Sequence, residues 1–309
     1  MTLTEIIDTL KSKFNLSKVI IAFEKTMSFY NESDNASKGN DIGTGLENNP
    51  YSDSVGNSVK SFSTVKISQN GVNPLIKLEN VWKTYNMGDT EFNALAGINL
   101  EINEGEFLVI LGPSGSGKST LMNLIGCLDL PSKGTIYLDS RNIANLAESE
   151  LARIRGEMIG FIFQSFNLIP TLNAEENVTL PMEFQEANMQ EGRKHAEYLL
   201  DIVSLSDKKQ NLPSQLSGGQ MQRVAIARSL AVNPPIILAD EPTGNLDSKT
   251  GYYILNFLND LHKKENKTII IVTHDVEIVK LASRVVHLKD GQIESIESCS
   301  KDNPCALRE

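Results

Sequence analysis

The sequence predicts an α/β fold, a mostly parallel core sheet sandwiched by helices. Runs such as FLVILG, IILAD and TIIIVT are almost continuously apolar, as in strands covered on both faces. They alternate with amphipathic stretches, the order expected of strands joined by crossover helices. A glycine-rich stretch, GPSGSGKST at 112–120, stands between the strand FLVILG and the helical run KSTLMNLIG.

Taken in order, residues 1–30 read as an amphipathic helical extension. Leu3, Ile6, Ile7, Leu10 and Phe14 share one helix face, and Asn15 caps a second helix carrying Val19, Ile20, Phe23 and Met27. Such a hairpin either packs on the main domain or on a second copy, or docks on a partner or membrane surface. Residues 31–74 are dominated by Asn, Ser, Gly and Asp, too polar to offset their ordering entropy, and read as a low-complexity, disordered linker. The main domain spans 75–293, with strand runs LIKLENVW, INLEI, FLVILG, TIYLD, MIGFIF, IILAD, TIIIVT and RVVHLK. Residues 294–309 lose periodicity and read as a C-terminal tail.

Composition narrows the function classes. A net charge of −10 over 309 residues argues against a chain that covers nucleic acid phosphates, so no nucleic acid partner is expected. Three irregularly spaced cysteines make neither a disulfide framework nor a four-ligand zinc site, which points to a reducing cytoplasm. The longest early apolar run, VIIAF, falls far short of the ~20 residues that span a bilayer. Work at a membrane therefore needs a partner or a surface contact.

Six stretches carry chemistry. Gly112, Pro113, Ser114, Gly115, Ser116, Gly117, Lys118, Ser119 and Thr120 form a phosphate loop in its required strand-to-helix context. Glycines let backbone amides turn toward a β-phosphate, Lys118 neutralises β- and γ-oxygens, and the Ser119 hydroxyl ligates magnesium. Asp240 and Glu241 end the strand IILAD, where a parallel sheet delivers acids beside such a loop. Asp240 is expected to hold magnesium and Glu241 to polarise an attacking water as general base. His274 follows TIIIVT at the same edge, whereas His195, His262 and His287 read as structural. Gln164 ends MIGFIFQ with an amide able to ligate magnesium, and Tyr85 is either a base-stacking ring or an ordinary edge aromatic. The stretch LSGGQMQRVAIARSLA places Ser217 as an N-cap, with Gly218, Gly219 and Gln220 opening a helix built to meet an anion.

In this order the motifs resemble the ATP-binding subunits of ABC transporters over roughly 75–293. The resemblance implies a phosphate-loop ATPase fold with an antiparallel β subdomain and a helical signature subdomain, ATP and Mg2+ as ligands, and ATP hydrolysis coupled to transport. It implies a head-to-tail dimer with a second ATPase subunit, in which Ser217, Gly218 and Gly219 meet the partner's γ-phosphate. It assigns Tyr85 to adenine stacking, Gln164 to magnesium and signalling, Asp247 in GNLD to contact across the dimer, and His274 to the γ-phosphate. The stretches NLIGCLDLPSKG, GFIFQSFNLIPTLNAEENVTLP and DEPTGNLD resemble the macrolide-export and lipoprotein-release subgroup. No transmembrane half follows the ATPase and residues 1–74 have no counterpart in the usual short subunits. A separate integral membrane permease is therefore expected, with the chain peripheral on the cytoplasmic face and its motion passed on through the helical segment after Gln164, about 165–190. The alternatives are a regulatory ATPase controlling a membrane-linked cell-wall enzyme and a non-transport ATPase of the same fold. The latter usually carries coiled-coil or zinc insertions between Ser119 and Ser217, and none is evident in the sequence.

Overall fold

The computed structural model describes residues 73–87, 90–185 and 188–299. The expected helical extension at 1–30, the linker up to residue 72 and the last part of the tail lie outside the described residues. Among the described residues the chain forms two sheets and a group of helices.

The first sheet is antiparallel. Strands β1 (Ile76–Met87), β2 (Thr90–Ile102), β4 (Lys133–Leu138) and β5 (Arg141–Asn142) lie in the order β2-β1-β4-β5. The second holds β10 (Gln292–Ser298), β9 (Arg284–Lys289), β3 (Phe107–Leu111), β8 (Thr268–Thr273), β7 (Ile236–Asp240) and β6 (Ile159–Ile162) in that order. All its pairings are parallel except β9 with β10. The apolar runs explain this arrangement. β8 is buried at every residue, and β3 and β7 at all but their last, as strands with helices on both faces must be.

β10 departs from the expected boundary at residue 293, because regular structure continues to Ser298. Its residues alternate between exposed and half-buried, the pattern of a solvated edge strand, so it lacks the apolar run that marks its neighbours.

The first helix, α1 (Lys118–Ile125), follows β3 and joins the two sheets. Its Leu121, Met122, Leu124 and Ile125 enter one core with residues of the antiparallel sheet and with Leu238 and Ile270 of the parallel one. Helix α2 (Glu148–Met158) leads into β6. Helices α3 (Ala174–Glu183), α4 (Met189–Ile202) and α5 (Gly218–Leu230) pack on one another between β6 and β7, and α6 (Ser248–Glu265) links β7 to β8. No helix among the described residues is long and apolar enough to cross a membrane. Cys127 is buried and free, whereas Cys299 is disulfide-bonded.

Strand β3 lies between β8 and β9, although the chain travels from β3 to the far edge at β6 before returning. That reversal of strand order opens a crevice at the carboxyl ends of β3, β7 and β8, where ligands of open α/β sheets bind.

Candidate active site

The loop after β3 is preformed. Gly117 caps α1 at a φ of +97° with no side-chain bond to the helix, which leaves first-turn N–H groups for an anion. A Cβ on Gly117 would stand 2.5 Å from the Ala94 carbonyl oxygen, so only glycine fits. The Lys118 ammonium donates to the carbonyls of Gly112 and Pro113, both at 2.8 Å, holding its charge over the loop. Among the described residues the buried Ser116 hydroxyl has no hydrogen-bond partner, an orphan inside the cradle.

The acidic edge meets this loop. Ser119 Oγ donates to Asp240 Oδ2 at 3.3 Å, bridging residues far apart in sequence. Burial pushes the Asp240 carboxyl up from its ordinary range and the adjacent Glu241 adds to this, while the Ser119 bond and Lys118 oppose it. Two oxygen donors at one point, one on a carboxylate penalised by desolvation, suit a small hard cation such as Mg2+.

Glu241 takes a left-handed backbone conformation, φ +46°, uncommon for a residue with a side chain. Its N–H is anchored on the Val272 carbonyl at 2.9 Å. Its carboxylate accepts from Thr273 Oγ1 at 3.0 Å on one oxygen and from the His274 N–H at 3.1 Å on the other. The His274 ring nitrogen Nδ1 lies 2.7 Å from that second oxygen. With Nδ1 protonated toward the carboxylate, a neutral ring has no proton on Nε2. Donation from His274 to a γ-phosphate therefore calls for a second ring proton or a turn of the side chain, which is 68% exposed.

The signature stretch forms the expected cap. Gln220 N–H donates to Ser217 Oγ at 3.3 Å while Gln220 Oε1 accepts from Ser217 N–H at 2.8 Å. These bonds stay within α5, and no recorded hydrogen bond joins Ser217 to its own phosphate loop among the described residues. A Cβ on Gly219 would lie 3.0 Å from Thr250 Cγ2, and Thr250 is held by Asp247, whose carboxylate accepts from its N–H and hydroxyl at 2.9 and 2.7 Å. The Thr250 bonds hold the Asp247 carboxyl below its usual range. The signature glycines and Asp247 thus share one surface.

The Gln164 side-chain amide lies against Gly244, where an added Cβ would be 3.2 Å from Nε2, and the Gln164 backbone carbonyl accepts from Asn245 Nδ2 at 2.9 Å. No recorded hydrogen bond joins that amide to Ser119 or Asp240 among the described residues. Tyr85 is partly exposed, donates to Asp129 Oδ2 at 3.3 Å, and sits 5.2 Å from the Lys83 ammonium by its ring centroid.

Three contributors escaped the sequence reading. Thr273 holds Glu241, Gln222 ties α5 to the Pro242 carbonyl at 2.9 Å, and Arg228 donates to the carbonyls of Phe166 and Asn167 at 2.9 and 2.5 Å. Gln222 and Arg228 lie within the quoted signature stretch, but only their partners reveal what they do.

The ABC transporter family model matches residues 95–244. An ABC transporter ATP-binding protein of Methanocaldococcus jannaschii, MJ0796, is 50% identical over 227 residues, covering 72% of this chain and 97% of that protein. The chain belongs to the ABC transporter ATP-binding proteins. The cassette MJ0796, solved as a dimer in a post-hydrolysis state bound to ADP and Pi, superposes with a TM-score of 0.69 at 51% identity, covering 72% of this chain and 98% of that one. The macrolide export ATP-binding/permease protein MacB of Bdellovibrio bacteriovorus is 49% identical over 72% of this chain but only 34% of its own length. As a member of this family the chain is an ATP-hydrolysing transporter subunit that acts with a membrane permease.

Proposed function

We propose that this cassette powers export or extraction of a substrate through a separate membrane permease of the macrolide-export and lipoprotein-release kind. The macrolide-export relative supports this kind of permease by its 49% identity over 223 residues, 34% of its own length. The chain then sits peripherally at the cytoplasmic face, with the cassette at about 75–298 and the segments before and after it as appendages.

One observation carries the chemistry. The phosphate loop, Asp240 and Glu241 meet at one sheet edge, with Ser119 3.3 Å from Asp240. Gly112 through Thr120 cradle the ATP phosphates, Lys118 balances their charge, and Tyr85 stacks on adenine. Ser119, Asp240 and Gln164 would hold a Mg2+ ion, which would supply neutralisation of developing phosphate charge. Glu241 accepts a proton from the attacking water as its oxygen bonds to the γ-phosphorus. The bond from that phosphorus to the bridging oxygen breaks, leaving ADP and phosphate. Ser217, Gly218, Gly219 and Gln220 of a second copy cover the γ-phosphate, and Asp247 supports that contact. ATP therefore favours the closed dimer, and hydrolysis removes the group that bridges it.

Glu241→Gln tests this reading. It should retain ATP binding, lower turnover by roughly 10²–10⁴-fold, the usual worth of a general base, and accumulate an ATP-dependent dimer in gel filtration. Turnover at the wild-type rate would remove Glu241 from the mechanism.

A further inference from the structure

We propose that Thr273 is a positioning residue that holds the Glu241 carboxylate at the end of β7, beside Asp240, throughout the ATPase cycle. The inference rests on the reading of Glu241 as general base. Thr273 is fully buried at the last position of β8 and pairs with Leu111, the residue just before the loop. Its hydroxyl accepts from the Asp275 N–H at 3.0 Å, which occupies a lone pair and leaves its single proton for Glu241 Oε2, also at 3.0 Å. The hydroxyl is thus oriented from behind.

Two facts distinguish this contact from the others on the carboxylate. Glu241 stands in a left-handed conformation just past the end of β7, and Thr273 holds its carboxylate from the neighbouring strand β8. Its other oxygen is shared between the His274 N–H and the exposed His274 ring. A ring that turns toward a γ-phosphate gives up its part of the carboxylate. Thr273, β-branched and locked inside a central strand, has no such freedom. Its hydrogen bond stays in place whichever way the histidine points.

The test uses the full chain with ATP and Mg2+. Thr273→Val keeps the branched shape and removes the donor. It should lower kcat about ten- to a hundredfold, the worth of a hydrogen bond to a charged group, with KM for ATP within about twofold. Thr273→Ser restores the hydroxyl and should return kcat to within about threefold of wild type. If the valine variant does not fold, Thr273→Ala against Thr273→Ser makes the same comparison. Wild-type kcat in the valine or alanine variant, beside an inactive Glu241→Gln, overturns the role of Thr273 alone. So does a loss that serine fails to rescue or that falls equally on KM, since either marks a purely structural residue. Full turnover by Glu241→Gln instead overturns the reading beneath.

Discussion

Gly117 shows how far a single position is constrained. Its φ of +97° and the Ala94 carbonyl, 2.5 Å from where a Cβ would stand, both exclude a side chain. Gly117→Ala should therefore destabilise the cassette by about 1–3 kcal/mol and weaken nucleotide binding more than tenfold, read by thermal melting and a fluorescent ATP analogue. That constraint is legible in the sequence, because the glycine belongs to a motif whose geometry is local. Thr273 is the opposite case. Its partner Glu241 lies 32 residues away, and nothing about a threonine at the end of TIIIVT says which carboxylate it meets. The same holds for Asp240, whose raised carboxyl follows from burial and a neighbouring charge rather than from its place in IILAD.

At the scale of elements, continuous apolar runs marked β3, β7 and β8 because buried parallel strands need no polar face. β10 carried no such mark, since an edge strand with one wet side reads as tail. The segment after Gln164 was expected to be helical through about 165–190. It is instead a loop up to the Asn173 cap, then α3. The loop is organised from outside. Arg228 of α5 clamps Phe166 and Asn167, both left-handed, while fully buried Asn177 brackets the next turns. The Asn177 carboxamide accepts from Ile169 N–H at 2.8 Å and donates to the carbonyls of Ile169, Leu172 and Asn173 at 3.2, 2.9 and 2.9 Å. Asn177→Ala removes the side-chain partner of the Ile169 N–H and the Leu172 carbonyl, while the Ile169 and Asn173 carbonyls keep the N–H groups of Leu172 and residue 177, and should destabilise the protein by about 1–3 kcal/mol. Limited proteolysis between residues 167 and 173 should quicken in that variant while the phosphate loop stays protected.

At the scale of the whole molecule, the proposed head-to-tail dimer makes the phosphate loop and the signature helix of one chain parts of two different sites. Mixing two inactive chains tests whether the halves meet across a dimer. Lys118→Ala disables one chain's loop and Ser217→Arg the other's signature, so a heterodimer regains one intact site. ATPase activity in the mixture, absent from either chain alone, is the expected result. Inactivity of a mixture shown to contain heterodimers would refute head-to-tail pairing. The motifs, their order and the parallel core were determined by sequence alone, because phosphate loops and doubly covered strands depend on residues close together along the chain. Tertiary structure decided which donors hold Glu241, how the loop after Gln164 is clamped and where the last strand ends. Those outcomes depend on contacts between residues tens of positions apart, and on which face of a strand meets water.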